Sequence, residues 1–396
     1  MSATGTAASE DLGMADERLD VARAMVHDHV ASGRAPSVAA IVMRRGEVLL
    51  AEAAGVQRPG GPELTLDHTW ALASATKPIT AAVLMSLVEE GRVGIYEPVI
   101  EHLPELAGST HDDVLVHHLF THTAGWESPL FSGRMAAFIA SGDLPPLTLD
   151  RDLLSHIFLT LAFDPIRFCE VGEVMAYANV NYELISEIIR RTTGDTLQAA
   201  MQARIFDPLG MDHSALIVPD SLLDNTVRRA PDLPFGEADD TTGLALQGEL
   251  VEQADAGGAG GFASPRDLAT FAQALLDGGI HDGSRILAPS SVRAMTTNQI
   301  PGTPAVFGPD ATVAEGSWGY GFSVICEQRW PWFGGGLVPM GSVTHPGAGG
   351  VNYWIDLEHQ IVGVFFEILT EMSDMLEPIS GLSHRFQDVI TGAVVE

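Results

Sequence analysis

A chain of 396 residues with 46% hydrophobic and 18% charged residues has ample apolar surface for a large core, and its length corresponds to about two to three domains. Its formal charge of −31, from 52 acidic against 21 basic residues, repels nucleic-acid phosphates and anionic membrane surfaces, so neither is expected as a partner. No run is long and apolar enough to span a bilayer, and Met1 to Asp20 lacks the basic start and apolar stretch of a secretory signal, so the expected location is cytoplasmic.

In chain order, Leu19, Val21, Ala22, Met25, Val26 and Val30 fall at helical spacing and predict a first helix over 16–32, closed by Gly33 and Pro36. Val38 to Met43 and Glu47 to Ala53, joined through Arg44-Arg45-Gly46, read as an antiparallel hairpin. After a Gly/Pro-rich loop, Trp70 to Gly91 reads as a helix with Ser74 at its start and Ile79, Val83, Leu84, Leu87 and Val88 on one face. From Val93 to about Arg229 short amphipathic pieces broken by prolines predict helices and loops, with few strand signals. A glycine cluster at 257–261 precedes a helix over Pro265 to Leu276 capped by Ser264. Runs at 343–344, 351–356 and 360–368 restore strand character, and a helix from about Met375 to Val389 closes the chain. Strands at both ends around a helical middle predict an α+β fold, an antiparallel sheet flanked by helices with an all-helical insertion. Residues 15–95 and 255–396 would form the discontinuous sheet domain, and 96–254 the insert.

Lys77 is the one lysine in the sequence, and it lies three residues after a serine in Ser74-Ala75-Thr76-Lys77-Pro78. Arginine stays charged at any accessible pH, so a chain that otherwise uses only arginine keeps lysine where a base that can lose its proton is needed. A leftover surface lysine in an arginine-rich chain is the plain alternative. At a helix start the pair places an amine beside the serine hydroxyl, which is a weak nucleophile until a base takes its proton. Burial and the positive end of the helix both lower the lysine pKa.

About a hundred residues on, Tyr177-Ala178-Asn179 supplies a phenol that can relay a proton and an amide that can orient the lysine, although Asn179 also reads as a helix-start cap. His345-Pro346-Gly347-Ala348-Gly349-Gly350 enters a strand. Its glycines let a ligand lie against a strand edge, and the Ala348 N–H could join that of Ser74 in an oxyanion hole.

The ordered motifs resemble the serine β-lactamase and penicillin-binding-protein superfamily, in its class C-like branch with the family VIII carboxylesterases and D-aminopeptidases. His118-Leu119-Phe120-Thr121-His122-Thr123-Ala124-Gly125, Pro208-Leu209-Gly210-Met211 and Tyr320-Gly321 are similar to further family segments, and the likeness runs over about 35–370. It implies the β-lactamase/transpeptidase-like fold, with Ser74 as acylated nucleophile, Lys77 as its base and Tyr177 as proton relay. It brings no cofactor. His345 departs from the lysine usual in β-lactamases, and a mostly neutral imidazole binds a carboxylate weakly at pH 7.

The resulting expectation is a carboxylesterase acting on small-molecule esters of small acyl groups. A D-aminopeptidase or other amide hydrolase, an acyltransferase, and a catalytically silent ligand-binding protein remain as alternatives. Trp126 reads as an acyl-pocket wall or a core aromatic, and His345 as a substrate contact or strand-end structure. His122 reads as tying its loop to the core, and Asn181 and Tyr182 as capping and packing residues. Cys169 and Cys326 read as buried thiols, not a disulfide framework. With no His-Glu-x-x-His or cysteine pattern, no metal is expected. Oligomeric state, homo-oligomers included, is left open.

Overall fold

The computed structural model describes residues 9–143, 157, 161, 167–234, 257–306, 312–327, 334–371 and 382–395. Helix α1 (Asp16–Ala31) leads into strands β1 (Ser37–Arg44) and β2 (Glu47–Gly55). The β1–β2 turn has φ of 51° at Arg45 and 82° at Gly46, the paired left-handed geometry that matches the twist of a two-residue hairpin. Helix α2 (Lys77–Glu89) follows, then α3 (Val116–Phe120), α4 (Ser128–Ser141), α5 (Asn179–Thr193) and α6 (Pro265–Leu276). Strands β3 (Ser323–Val324), β4 (Val343–Thr344), β5 (Val351–Asp356) and β6 (Ile361–Glu367) precede the closing helix α7 (Leu382–Thr391). The residues before Leu382 in the expected last helix lie outside the described residues.

Among the described residues the main sheet has six strands in the order β3-β4-β5-β6-β1-β2, and every neighbouring pair is antiparallel. The register sets Val38 opposite Glu367 and Arg44 opposite Ile361, so strands from both ends of the chain pair at the centre. All eight residues of β1 are buried because both faces are covered. Val38, Ala40 and Val42 join Leu19, Val26 and Phe386 on the side of α1 and α7, whereas Ala39, Ile41 and Met43 belong to the large core with α2 and α6. That alternation follows from the two-residue period of a strand. Gly363 has its own reason: a Cβ there would lie 2.0 Å from the Trp354 indole on the neighbouring strand.

Two sequence expectations change. The helix expected from Trp70 is three pieces: Trp70–Ala71 pairs antiparallel with Phe262–Ala263, Ala73–Thr76 is a 3-10 turn, and the α-helix begins at Lys77. Ala73 has φ of 46°, which breaks helical continuity ahead of Ser74, and Pro78 sits in the first turn, where its missing N–H costs nothing. Cys169 and Cys326 are half-buried rather than fully buried.

Candidate active site

Lys77 is fully buried, and its ammonium nitrogen donates to Ser74 Oγ at 3.1 Å, Asn179 Oδ1 at 2.9 Å and the Gly258 carbonyl at 2.6 Å. Three acceptors match the three N–H bonds of an ammonium. Burial nevertheless pulls the Lys77 pKa down to about 7, opposed by the negative charge of Glu183. Asn179 and Glu183 lie four residues apart on α5, hence on one helix face. The Asn179 side chain is not the cap of α5. Its own N–H donates to Ser128 Oγ at 2.9 Å, and its amide oxygen is turned to Lys77.

Tyr177 lies just before α5, with its ring centroid 4.8 Å from Lys77 Nζ. Burial pushes the phenol pKa above its usual range, and the hydrogen bond with Ser74 pulls the other way, so the phenol is protonated at neutral pH. Among the described residues the rings packed on Tyr177 are those of His122 at 4.4 Å, Trp318 at 6.0 Å and His345 at 6.2 Å between centroids. His345 is 1% exposed, and burial followed by the Lys77 charge lowers its pKa to about 3, so it is a neutral imidazole. Trp126 packs edge-on against His111, with centroids 5.3 Å apart.

The 345–350 turn is brought to Ser74 by a close approach. A Cβ on Gly347 would lie 1.9 Å from the Leu72 carbonyl oxygen, so only glycine lets this turn seat there, and Ala348 packs against Ala73. Backbone strain marks the same place. Of the six non-glycine residues with positive φ among the described residues, Arg45, Asp282 and Gln360 lie in turns between strands or beside them, while Ala73, His122 and Ser317 adjoin Ser74, Tyr177 and Trp318. Strain kept outside ordinary turns is characteristic of functional sites.

Sequence reasoning passed over three contributors. Glu183 and Trp318 fall in no motif, and the Gly258 carbonyl is invisible in a sequence. The signal available was the glycine cluster: a Cβ on Gly257, Gly258 or Gly261 would collide with Ser186, Glu183 or Thr76, so the run is glycine because it presses on α2 and α5.

The family pattern described as Beta-lactamase matches residues 22–369. The chain belongs to the β-lactamase family. This β-lactamase-family chain is 33% identical over 216 residues to esterase EstB of Burkholderia gladioli, a match covering 52% of this chain and about half of that relative, 53%. It is 24% identical over 366 residues to penicillin-binding protein 4 of Amycolatopsis lactamdurans, covering 88% of each. Among solved structures, EstCE1, titled a hydrolase with promiscuous acyltransferase activity, superposes with a TM-score of 0.71 at 19% identity over 97% of this chain and 100% of the other, which shows the shared fold. The chain is thus of the β-lactamase-fold serine hydrolase superfamily, an assignment that supports an enzyme.

Proposed function

We propose that the protein is a carboxylesterase that cleaves esters of small acyl groups through an acyl-enzyme on Ser74. The observation that carries this reading is Lys77 Nζ 3.1 Å from Ser74 Oγ with its pKa drawn to about 7, so that a large fraction of the amine is neutral and basic at physiological pH. Neutral Lys77 takes the Ser74 proton as Oγ attacks the ester carbonyl. The oxyanion is received by the N–H groups of Ser74 and Ala348, a role supported by the close seating of Gly347 on the Leu72 carbonyl and by the packing of Ala348 against Ala73. As the tetrahedral intermediate collapses, the C–O bond to the alcohol breaks and Tyr177 passes a proton to the leaving alkoxide, being resupplied by the Lys77 ammonium. Water then attacks the acyl-enzyme with Lys77 and Tyr177 in reversed roles, releasing the acid and restoring Ser74. Asn179 holds Lys77 in place and helps orient the substrate carbonyl.

The preference for neutral esters rests on His345. An imidazole with a pKa of about 3 offers no cation to a substrate carboxylate near neutral pH. Esterase EstB, named as an esterase, supports the same reading.

The test is turnover of p-nitrophenyl acetate and butyrate. Ser74→Ala and Lys77→Arg are each expected to lower kcat by at least about 1000-fold with the fold intact. Poor ester turnover with good cleavage of D-alanyl p-nitroanilide would replace the ester reading by an amidase. A new ester formed when an alcohol is added would make acyl transfer the principal reaction.

A further inference from the structure

His122 and His345 come from distant parts of the chain, both pack on Tyr177, and both are shut off from solvent at 0% and 1% exposure. Their ring protons are fixed by their partners. His122 Nδ1 lies 3.2 Å from the Ala178 backbone nitrogen, an obligatory donor, so Nδ1 carries the lone pair and Nε2 the hydrogen. His345 Nδ1 lies 2.8 Å from the Pro346 carbonyl, an obligatory acceptor, so here Nδ1 carries the hydrogen and Nε2 the lone pair. Both Nε2 atoms are buried with no hydrogen-bond partner among the described residues. One is an orphaned donor, the other an orphaned acceptor, and buried polar atoms of this kind are normally satisfied.

The rings are held neutral together. Burial is the larger cause in each, and the Lys77 charge adds to it; His345 also disfavours a proton on His122. The titratable groups around the pair are Lys77, Tyr177 and Tyr182, with Glu183 acting on Lys77. His122 is kept at φ of 57° while its carbonyl accepts from the Ala176 N–H at 2.9 Å, so its backbone is pinned in a conformation few residues adopt.

We propose that one water bridges the two Nε2 atoms, accepting from His122 and donating to His345, and that this tautomer-locked pair is a positioning device for the Tyr177 phenol. Two polar partners satisfy the minimum for a buried water. The water keeps one O–H and one lone pair for the Tyr177 hydroxyl, whose ring the two imidazoles already contact. The pair thereby orders Tyr177 without placing a second cation beside Lys77. Its effect on rate rests on the ester-hydrolase reading; the tautomers and the water do not.

The experiment has two arms on the full chain. With nitrogen-15-labelled histidine, NMR is expected to show His122 protonated at Nε2 and His345 at Nδ1, unchanged from pH 5 to 9, and a high-resolution crystal structure to show one water within hydrogen-bond distance of both Nε2 atoms. Titration of either ring, an exchanged tautomer, or no such water overturns the proposal. In the second arm, His122→Asn keeps an acceptor for Ala178 and tolerates positive φ, and His345→Asn keeps a donor for Pro346. Each is expected to lower kcat about tenfold with KM within about twofold, and the double variant to lose about tenfold rather than about a hundredfold, because both remove the same bridge. A multiplicative loss, or wild-type kcat in either single variant, also overturns it. Should the wild type turn over no ester, the ester reading fails and the first arm alone decides the pair.

Discussion

At the scale of single residues, the environment of Lys77 sets a pH dependence with a definite sign. Its pKa is lowered from the ordinary amine value to about 7 by burial, so the neutral base accumulates as pH rises, and ester turnover is expected to increase through about pH 7 and then level off. Tyr177 contributes no second rise in this range, since burial pushes its pKa upward and the phenol stays protonated. The Glu183 carboxylate raises the Lys77 pKa, so Glu183→Gln is expected to move the midpoint of the pH–kcat profile downward, whereas an unchanged midpoint would remove Glu183 from this role. Lys77 was legible because a chain that otherwise uses arginine retained one residue able to deprotonate. Glu183 was not, because a glutamate on a helix reads as a solvated charge until the fold buries it to 8% exposure.

At the scale of elements, the helix starts and the turn at 345–350 carry the proposed site. Gly347→Ala is expected to lower kcat by about tenfold or more with a smaller loss of stability, because the added methyl group pushes the turn off Leu72 and moves the Ala348 N–H relative to Ser74; wild-type kinetics in that variant would argue against an oxyanion role for the turn. Away from the site, Ser264 Oγ accepts from the Asp267 N–H at 3.1 Å as the cap of α6, and Ser264→Ala is expected to cost about 1 kcal/mol in denaturant unfolding while kcat holds. Periodicity and caps made α1, α6 and the β1–β2 hairpin readable because their signals are local. The break before α2 was not readable in that way. Trp70 and Ala71 leave the helix to pair with Phe262 and Ala263, almost two hundred positions away, and no local pattern reports such a partner.

For the molecule as a whole, one apolar core runs from Ala39 and Ile41 in the sheet through Leu84, Leu119, Ile185 and Phe206 to Phe366. We propose the division into a sheet domain of 15–95 and 255–396 and a helical insert of 96–254 as a topological one, with the two parts unfolding together. Circular dichroism and tryptophan fluorescence are expected to give coincident transitions; separated transitions would make the insert an independent folding unit. The formal charge of −31 makes self-repulsion a cost that salt screens, so the melting temperature is expected to rise between about 0.05 M and 1 M sodium chloride, where the Debye length shrinks to about 3 Å. No helix among the described residues is long and apolar enough to cross a membrane. The sequence by itself determined the family, the antiparallel strands at both ends, and Ser74, Lys77 and Tyr177 as the residues to examine, because side-chain type and short-range spacing carry that information along the chain. Only the tertiary structure decided that Lys77 is shut from water with Asn179 and Gly258 as partners, that His345 is held neutral, and that His122 lies against Tyr177. Desolvation and ring packing arise from residues far apart in the chain, so they exist only once the fold has brought them together.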